Sequence, residues 1–116
     1  YGLLRDGTTA VDMYRTATMI NPSPANFKEL ADVYLRVGNP EAALMAANAG
    51  LAKDSHSAPL YNAKGLALND LTRFEEAAHA FQQALVYDPS FEIARRNLEA
   101  LGPGYQETGG KHPKGR

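Results

Sequence analysis

An all-α fold made of repeated pairs of antiparallel helices is what this chain predicts, on three grounds. Seven residue pairs recur at a single offset of 34 residues: Phe27/Tyr61, Ala31/Gly65, Tyr34/Leu68, Ala43/Ala77, Ala47/Phe81, Gly50/Ala84 and Ser55/Pro89. Within each copy the apolar residues return every three or four positions, as on a helix with one buried face. Capping and breaking residues stand at the ends of those runs.

The elements follow in order. Ala10, Tyr14, Ala17 and Pro22 match Ala77, Phe81, Ala84 and Pro89 at an offset of 67, two periods less one residue. Residues 1–22 are therefore read as a partial unit. Tyr1 to Leu4 would be the last turn of a first helix, and a second helix would run from near Thr8 to Ile20. Residues 23–56 form the first full unit. Ser23-Pro24 and Asn39-Pro40 each place a capping side chain before a proline at the first helical position. Phe27, Leu30, Ala31 and Tyr34 give the apolar face of its first helix, and Ala43, Leu44, Ala47 and Leu51 that of its second. Gly38, between them, suits a left-handed helix stop.

Residues 57–90 repeat the plan with Tyr61, Gly65 and Leu68, then Ala77, Phe81, Ala84 and Leu85. Thr72-Arg73-Phe74-Glu75 reads as a capping box. Pro89 ends the second helix by disfavouring helical geometry at Asp88. Residues 91–101 carry Phe91, Ala94, Leu98 and Leu101 on one face with no partner helix after them, and read as a capping helix. Residues 102–116 are polar and rich in Gly and Pro, and read as a disordered tail. Lys111, Lys114 and Arg116 give that tail a small positive excess over Glu107.

Composition narrows the chemistry. The 116 residues are one domain's worth of chain, and 44% hydrophobic content is ordinary for a globular protein. Twelve basic against 13 acidic residues leave a net charge of -1, which steers the chain toward neither nucleic acid nor anionic membrane. The absence of cysteine excludes disulfides, zinc fingers, iron–sulfur ligation and cysteine nucleophiles. The apolar runs are far short of a membrane span, and no signal peptide is visible. A start at Tyr1 rather than Met suggests an excised or processed piece of something longer. The compartment is left open, with the cytoplasm the default reading.

Period and residues together resemble the tetratricopeptide repeat family. Tyr61, Gly65, Leu68, Ala77, Phe81, Ala84 and Pro89 carry the resemblance, with a degenerate copy from Phe27 to Ser55. It covers roughly residues 1–101. Lys64 departs from it, standing where the family usually has a Leu-like residue; its stem can lie on apolar surface with the ammonium in water. Ser55 replaces the terminal proline. The resemblance implies a right-handed α-solenoid with about two full repeats, an N-terminal half repeat and a capping helix. Small residues at Ala31, Gly65, Ala43, Ala77, Gly50 and Ala84 would let paired helices approach closely. The aromatics Tyr14, Phe27, Tyr34, Tyr61 and Phe81 would fill the gaps between units.

In that geometry the first helix of each pair lines a concave groove. The groove positions are then Lys28, Glu29, Asp32, Leu35 and Arg36 in the first unit. They are Asn62, Ala63, Leu66, Asn69 and Asp70 in the second, with Arg96, Asn97 and Ala100 on the capping helix. Lys28, Asn62 and Arg96 are spaced by 34 and would form a ladder of donors for a peptide backbone or carboxylate. Some family members clamp the C-terminal carboxylate of chaperone tails with Lys and Asn. Lys28 matches one such position, but Asp32 and Ala63 stand where Asn is expected, which argues against that clamp.

Other constellations are weaker. Asp54, Ser55, His56 and Ser57 contain triad residue types, but neighbours in a loop cannot converge as a nucleophile–base pair does. His79 and His112 show no metal spacing, and no glycine-rich phosphate loop is present. Glu75 and Glu76 suit a helix first turn. The expected protein is thus a non-enzymatic scaffold without cofactor or metal, binding a peptide or helix of a partner protein in the groove. Nucleic acid and membrane insertion are not expected. The alternative is a self-assembling or regulatory module that packs through the N-terminal half repeat, using Val11, Met13, Met19 and Ile20.

Overall fold

Ser23, Asn39 and Ser57 open three helices in the same way. Each side-chain oxygen accepts a hydrogen bond from a backbone N–H of the first turn, that of Asn26, Ala42 and Leu60 respectively. The computed structural model describes residues 2–102, with side-chain surroundings from Ala10 onward. Its helices are α1 (Gly2–Ile20), α2 (Pro24–Arg36), α3 (Pro40–Lys53), α4 (Ala58–Asp70), α5 (Phe74–Tyr87) and α6 (Glu92–Leu101). No strand occurs among the described residues. Each helix packs on the next, and α2 also touches α4, as α4 touches α6. The first helices of successive pairs therefore share one side of the stack, and the fold is an all-α helical repeat. The tail read as disordered lies, from residue 103 on, outside the described residues, as does Tyr1.

Two buried clusters hold the stack together. One is Leu30, Ala31, Ala46, Ala47 and Ala63, with Tyr14 and Tyr34 packed against it. The other is built around Leu68, Phe81, Leu85, Ala94 and Leu98, with Leu44, Tyr61, Leu66, Phe91 and Leu101 packed against it. The small residues sit where helices close up. A Cβ added at Gly65 would lie 2.4 Å from the Phe81 ring, and one at Gly50 would lie 2.8 Å from Leu60 Cδ1. Position by position the two units compensate. Gly65 faces Phe81, whereas their counterparts Ala31 and Ala47 share a cluster as two small residues. Gly50 faces Leu60, whereas their counterparts Ala84 and Ala94 do the same. The space between helices is filled either by two small residues or by one large residue against a bare glycine.

Four local expectations need correction. The N-terminal segment is one uninterrupted helix from Gly2 to Ile20, with no break before Thr8. It contains no proline, and Gly7 alone costs a helix only about 1 kcal/mol. The capping box at Thr72 does not form. Thr72 takes φ +60°, its hydroxyl donates to the Leu71 carbonyl at 2.6 Å, and Arg73 becomes the uncapped start of α5. The reason is the tight turn. Gly38 adopts φ +82° at the equivalent place, so the backbone requires a left-handed residue there and Thr72 cannot serve as a cap. The third is Phe91, which precedes α6 as its cap residue and offers no side-chain acceptor. The fourth is Ala63, which is 1% exposed within a core cluster instead of facing the groove.

Candidate functional site

The N-terminal halves of α2 and α4 and the start of α6 enclose an open groove of about 670 Å³. It is lined by Pro24, Ala25, Lys28, Glu29 and Asp32 from α2, by Ser57, Pro59, Asn62 and Leu66 from α4 and its cap, and by Phe91 and Ile93 at α6. The parallel placement of these helices follows from the repeat, so equivalent residues stand side by side. Ala25, Pro59 and Ile93 are such a set, spaced by 34, and form three apolar rungs. Ile93 remains 56% exposed although it is aliphatic.

The polar side of the groove is already partly satisfied within the protein. Lys28 Nζ lies 2.8 Å from Asp32 Oδ2, one helical turn away. That hydrogen bond raises the Lys28 ammonium above its ordinary value against the opposing effect of partial burial, and the charges of Asp32 and Glu29 add to it. Asn62 is buried, and its Oδ1 accepts from Asn97 Nδ2 at 2.9 Å, tying α4 to α6.

Of the thirteen residues the sequence assigned to the groove, Lys28, Glu29, Asp32, Asn62 and Leu66 line it, whereas Ala63 lies in the core and Asn97 and Ala100 fall outside the lining. Leu35, Arg36, Asn69 and Asp70 lie in the C-terminal turns of α2 and α4, beyond its lining, and Arg96 is exposed outside it. The donor ladder therefore stops at Asn62. Asn97, one residue and about 100° further around α6, donates instead to Asn62 within the protein. Sequence reasoning missed Ala25, Pro59, Ile93 and Phe91. The signal was present, because Ala25, Pro59 and Ile93 recur at the repeat offset, and Phe91 recurs with Ser23 and Ser57.

A second opening of about 630 Å³ lies on the opposite side, where α3 and α5 flank α4; Asn48, Lys64, Arg73, Glu76 and His79 are among its lining residues. Here Arg73 Nε and Nη2 donate to the two Glu76 carboxylate oxygens at 2.7 and 3.0 Å. That bidentate bond lowers the Glu76 carboxyl below its usual value, with the charges of Arg73 and Lys64 acting in the same direction. Lys64 and Arg73 balance Glu75 and Glu76 in this cleft. In the loop before α4, Ser55 Oγ lies 3.4 Å from His56 Nδ1, but Asp54 Oδ1 accepts from the His56 backbone N–H and does not orient the imidazole. The His56 ring instead meets Tyr87 edge-on at 4.6 Å, and Tyr87 stacks on Tyr61. Among the described residues no group of His, Asp and Glu could hold a metal ion, and no helix is long and apolar enough to cross a membrane.

Comparison with known proteins agrees with this architecture. Residues 58–91 match a family model described as Tetratricopeptide repeat. The chain is 30% identical over 97 residues to the small glutamine-rich tetratricopeptide repeat-containing protein 2 of Mycosarcoma maydis, an alignment covering 83% of this chain and 28% of that protein. It is 36% identical over 85 residues to the TPR repeat-containing thioredoxin TDX of Arabidopsis thaliana, covering 72% of this chain and 22% of that protein. The chain thus spans about a quarter of the length of the curated relatives it matches. In fold it is similar to the solved Arabidopsis OM64 TPR domain, with a TM-score of 0.78 at 24% identity over 84% of this chain and 81% of that one.

Proposed function

We propose, from the premise that the chain belongs to the tetratricopeptide repeat family, that it is a non-catalytic binding module whose concave groove holds a segment of a partner protein. Members of this family generally mediate protein–protein interaction. The observation that carries the reading for this chain is the groove along α2, α4 and the start of α6, where apolar rungs stand beside the Lys28–Asp32 pair. Lys28, Glu29, Asp32, Asn62 and Leu66 contribute to recognition there, joined by Ala25, Pro59, Phe91 and Ile93. Leu35, Arg36, Asn69, Asp70 and Arg96 serve as a rim at most. The groove among the described residues spans two full units and is short, so the affinity expected of this chain is micromolar, about −8 kcal/mol.

Affinity capture from lysate tests this, comparing the wild type with an Ala25→Asp/Ile93→Asp variant of equal thermal stability. A partner held by the wild type and lost by the variant supports the groove. A partner held equally by both moves the site to another face.

A second reading has its own observation. Met13, Met19 and Ile20 on α1 are 63%, 80% and 80% exposed, and they offer an apolar strip to another copy. A mass in solution that rises with concentration, and falls back in a Met19→Lys/Ile20→Lys variant, would establish it. A constant monomer mass would dismiss it.

A further inference from the structure

We infer that the groove accepts an internal protein segment bearing an aliphatic or aromatic anchor next to a lysine or arginine, and rejects a segment that ends in a free carboxylate. This rests on the groove reading above and adds the chemistry of the occupant.

The anchor follows from the apolar side. Ala25, Pro59 and Ile93 form a continuous track at one repeat position, and Ile93 is left more than half exposed. Phe91 strengthens it. Its counterparts Ser23 and Ser57 cap their helices through hydrogen bonds to Asn26 N–H and Leu60 N–H. Helix α6 has no side-chain cap, because a ring occupies the place of the hydroxyl and lines the groove. Local helix chemistry gives way there to a ring that both packs on the core cluster and walls the groove.

The charge preference follows from the other side. The ammonium of Lys28 is engaged by Asp32 at 2.8 Å, and Glu29 reinforces the negative surroundings. One cation against two carboxylates leaves the lining at a net charge of −1. Glu29 is exposed and has no ion pair among the described residues. An entering carboxylate meets two carboxylates and a lysine already paired, whereas an entering cation meets Glu29. Asn62 supplies the backbone contact. It is 8% exposed, lines the groove and accepts through Oδ1, while among the described residues nothing accepts from its Nδ2. A peptide carbonyl of a passing segment satisfies that donor.

Selection from displayed random peptides tests the inference directly. One library presents each peptide internally between fixed flanks, and the other presents it with a free C-terminus. The internal library should enrich sequences with Leu, Ile, Met or Phe beside Lys or Arg. A synthetic, amidated copy of an enriched sequence should bind Ile93→Asp about tenfold more weakly than the wild type. It should bind Glu29→Lys about fivefold more weakly. Both positions are exposed, so the variants should fold, and a circular-dichroism melt checks this. Enrichment of acidic or free-carboxylate sequences that still lose binding in Ile93→Asp would overturn the inference and leave the groove reading intact. No enrichment, or binders indifferent to both Ile93→Asp and Ala25→Asp, would overturn both.

Discussion

The two full units share a backbone and differ in how they fill it. In the first, Ala31 and Ala47 meet as small residues, Gly38 makes the left-handed turn without strain, and Asn39 caps the following helix. In the second, Gly65 makes room for Phe81, Thr72 is held at φ +60°, and Arg73 begins the helix with no cap hydrogen bond. The first unit obeys local rules and has alanines, Ala31 and Ala47, where the second pairs a glycine with Phe81. The second departs from them at its turn and carries the larger core residues Phe81, Leu68 and Leu85. Tertiary packing, not turn chemistry, therefore holds the second unit in shape.

The strongest test of that contrast lies in the packing itself. Phe81→Ala should cost about 3–5 kcal/mol. Gly65→Ala should cost about 1–3 kcal/mol, because its Cβ meets a ring that is 1% exposed and has nowhere to move. The double variant recreates the Ala–Ala pairing of the first unit and should cost clearly less than the two singles summed, as read by urea denaturation. Simple additivity would show that the two residues do not compensate each other.

Next comes the turn. Thr72→Gly should stabilise the chain by about 1 kcal/mol by removing a β-branched residue from the left-handed region. Gly38→Thr should destabilise it by a similar amount. A thermal midpoint unmoved by Thr72→Gly would mean that the turn relaxes away from φ +60° in solution. Asn39→Ala should then cost about 1 kcal/mol through the lost cap, whereas Arg73→Ala should be nearly neutral, since it removes only an exposed ion pair.

The weakest response belongs to the groove side of the first unit. The folded-state value of Lys28 lies above its unfolded one, so its pair with Asp32 contributes fully below pH 10.5 and loses that contribution as pH rises through the folded value. The pair is partly exposed, and about 0.3–0.5 kcal/mol is at stake. Wild type and Lys28→Met should therefore differ by that small amount in denaturation at pH 8 and converge at strongly alkaline pH. A difference that persists there would come from packing of the lysine stem.

Much of this molecule is legible in its amino-acid order. The offset of 34 residues, the apolar periods and the Ser23 and Asn39 caps locate α2 to α5, because each is a local signal repeated at fixed spacing. Part of the expected groove lining, namely Lys28, Glu29, Asp32, Asn62 and Leu66, also follows from register alone. The misses share one cause. Thr72 looks like a cap and Ala63 like a groove residue because sequence gives the position along a helix but not the neighbour that meets it. Phe91 and Ile93 escape notice as groove residues because an apolar residue at a helix start reads as core, and only the packed helices show which side of it faces the groove.

The helical repeat is thus a property of the chain's local pattern, since hydrophobic period and capping act within short segments wherever those segments lie. Contact between helices is what sets Gly65 beneath Phe81 and brings Asn97 of α6 to Asn62 of α4, whereas the Lys28–Asp32 pair, four residues apart on α2, needs only that helix. Those two contacts between helices are settled by distances that exist only once the helices have packed.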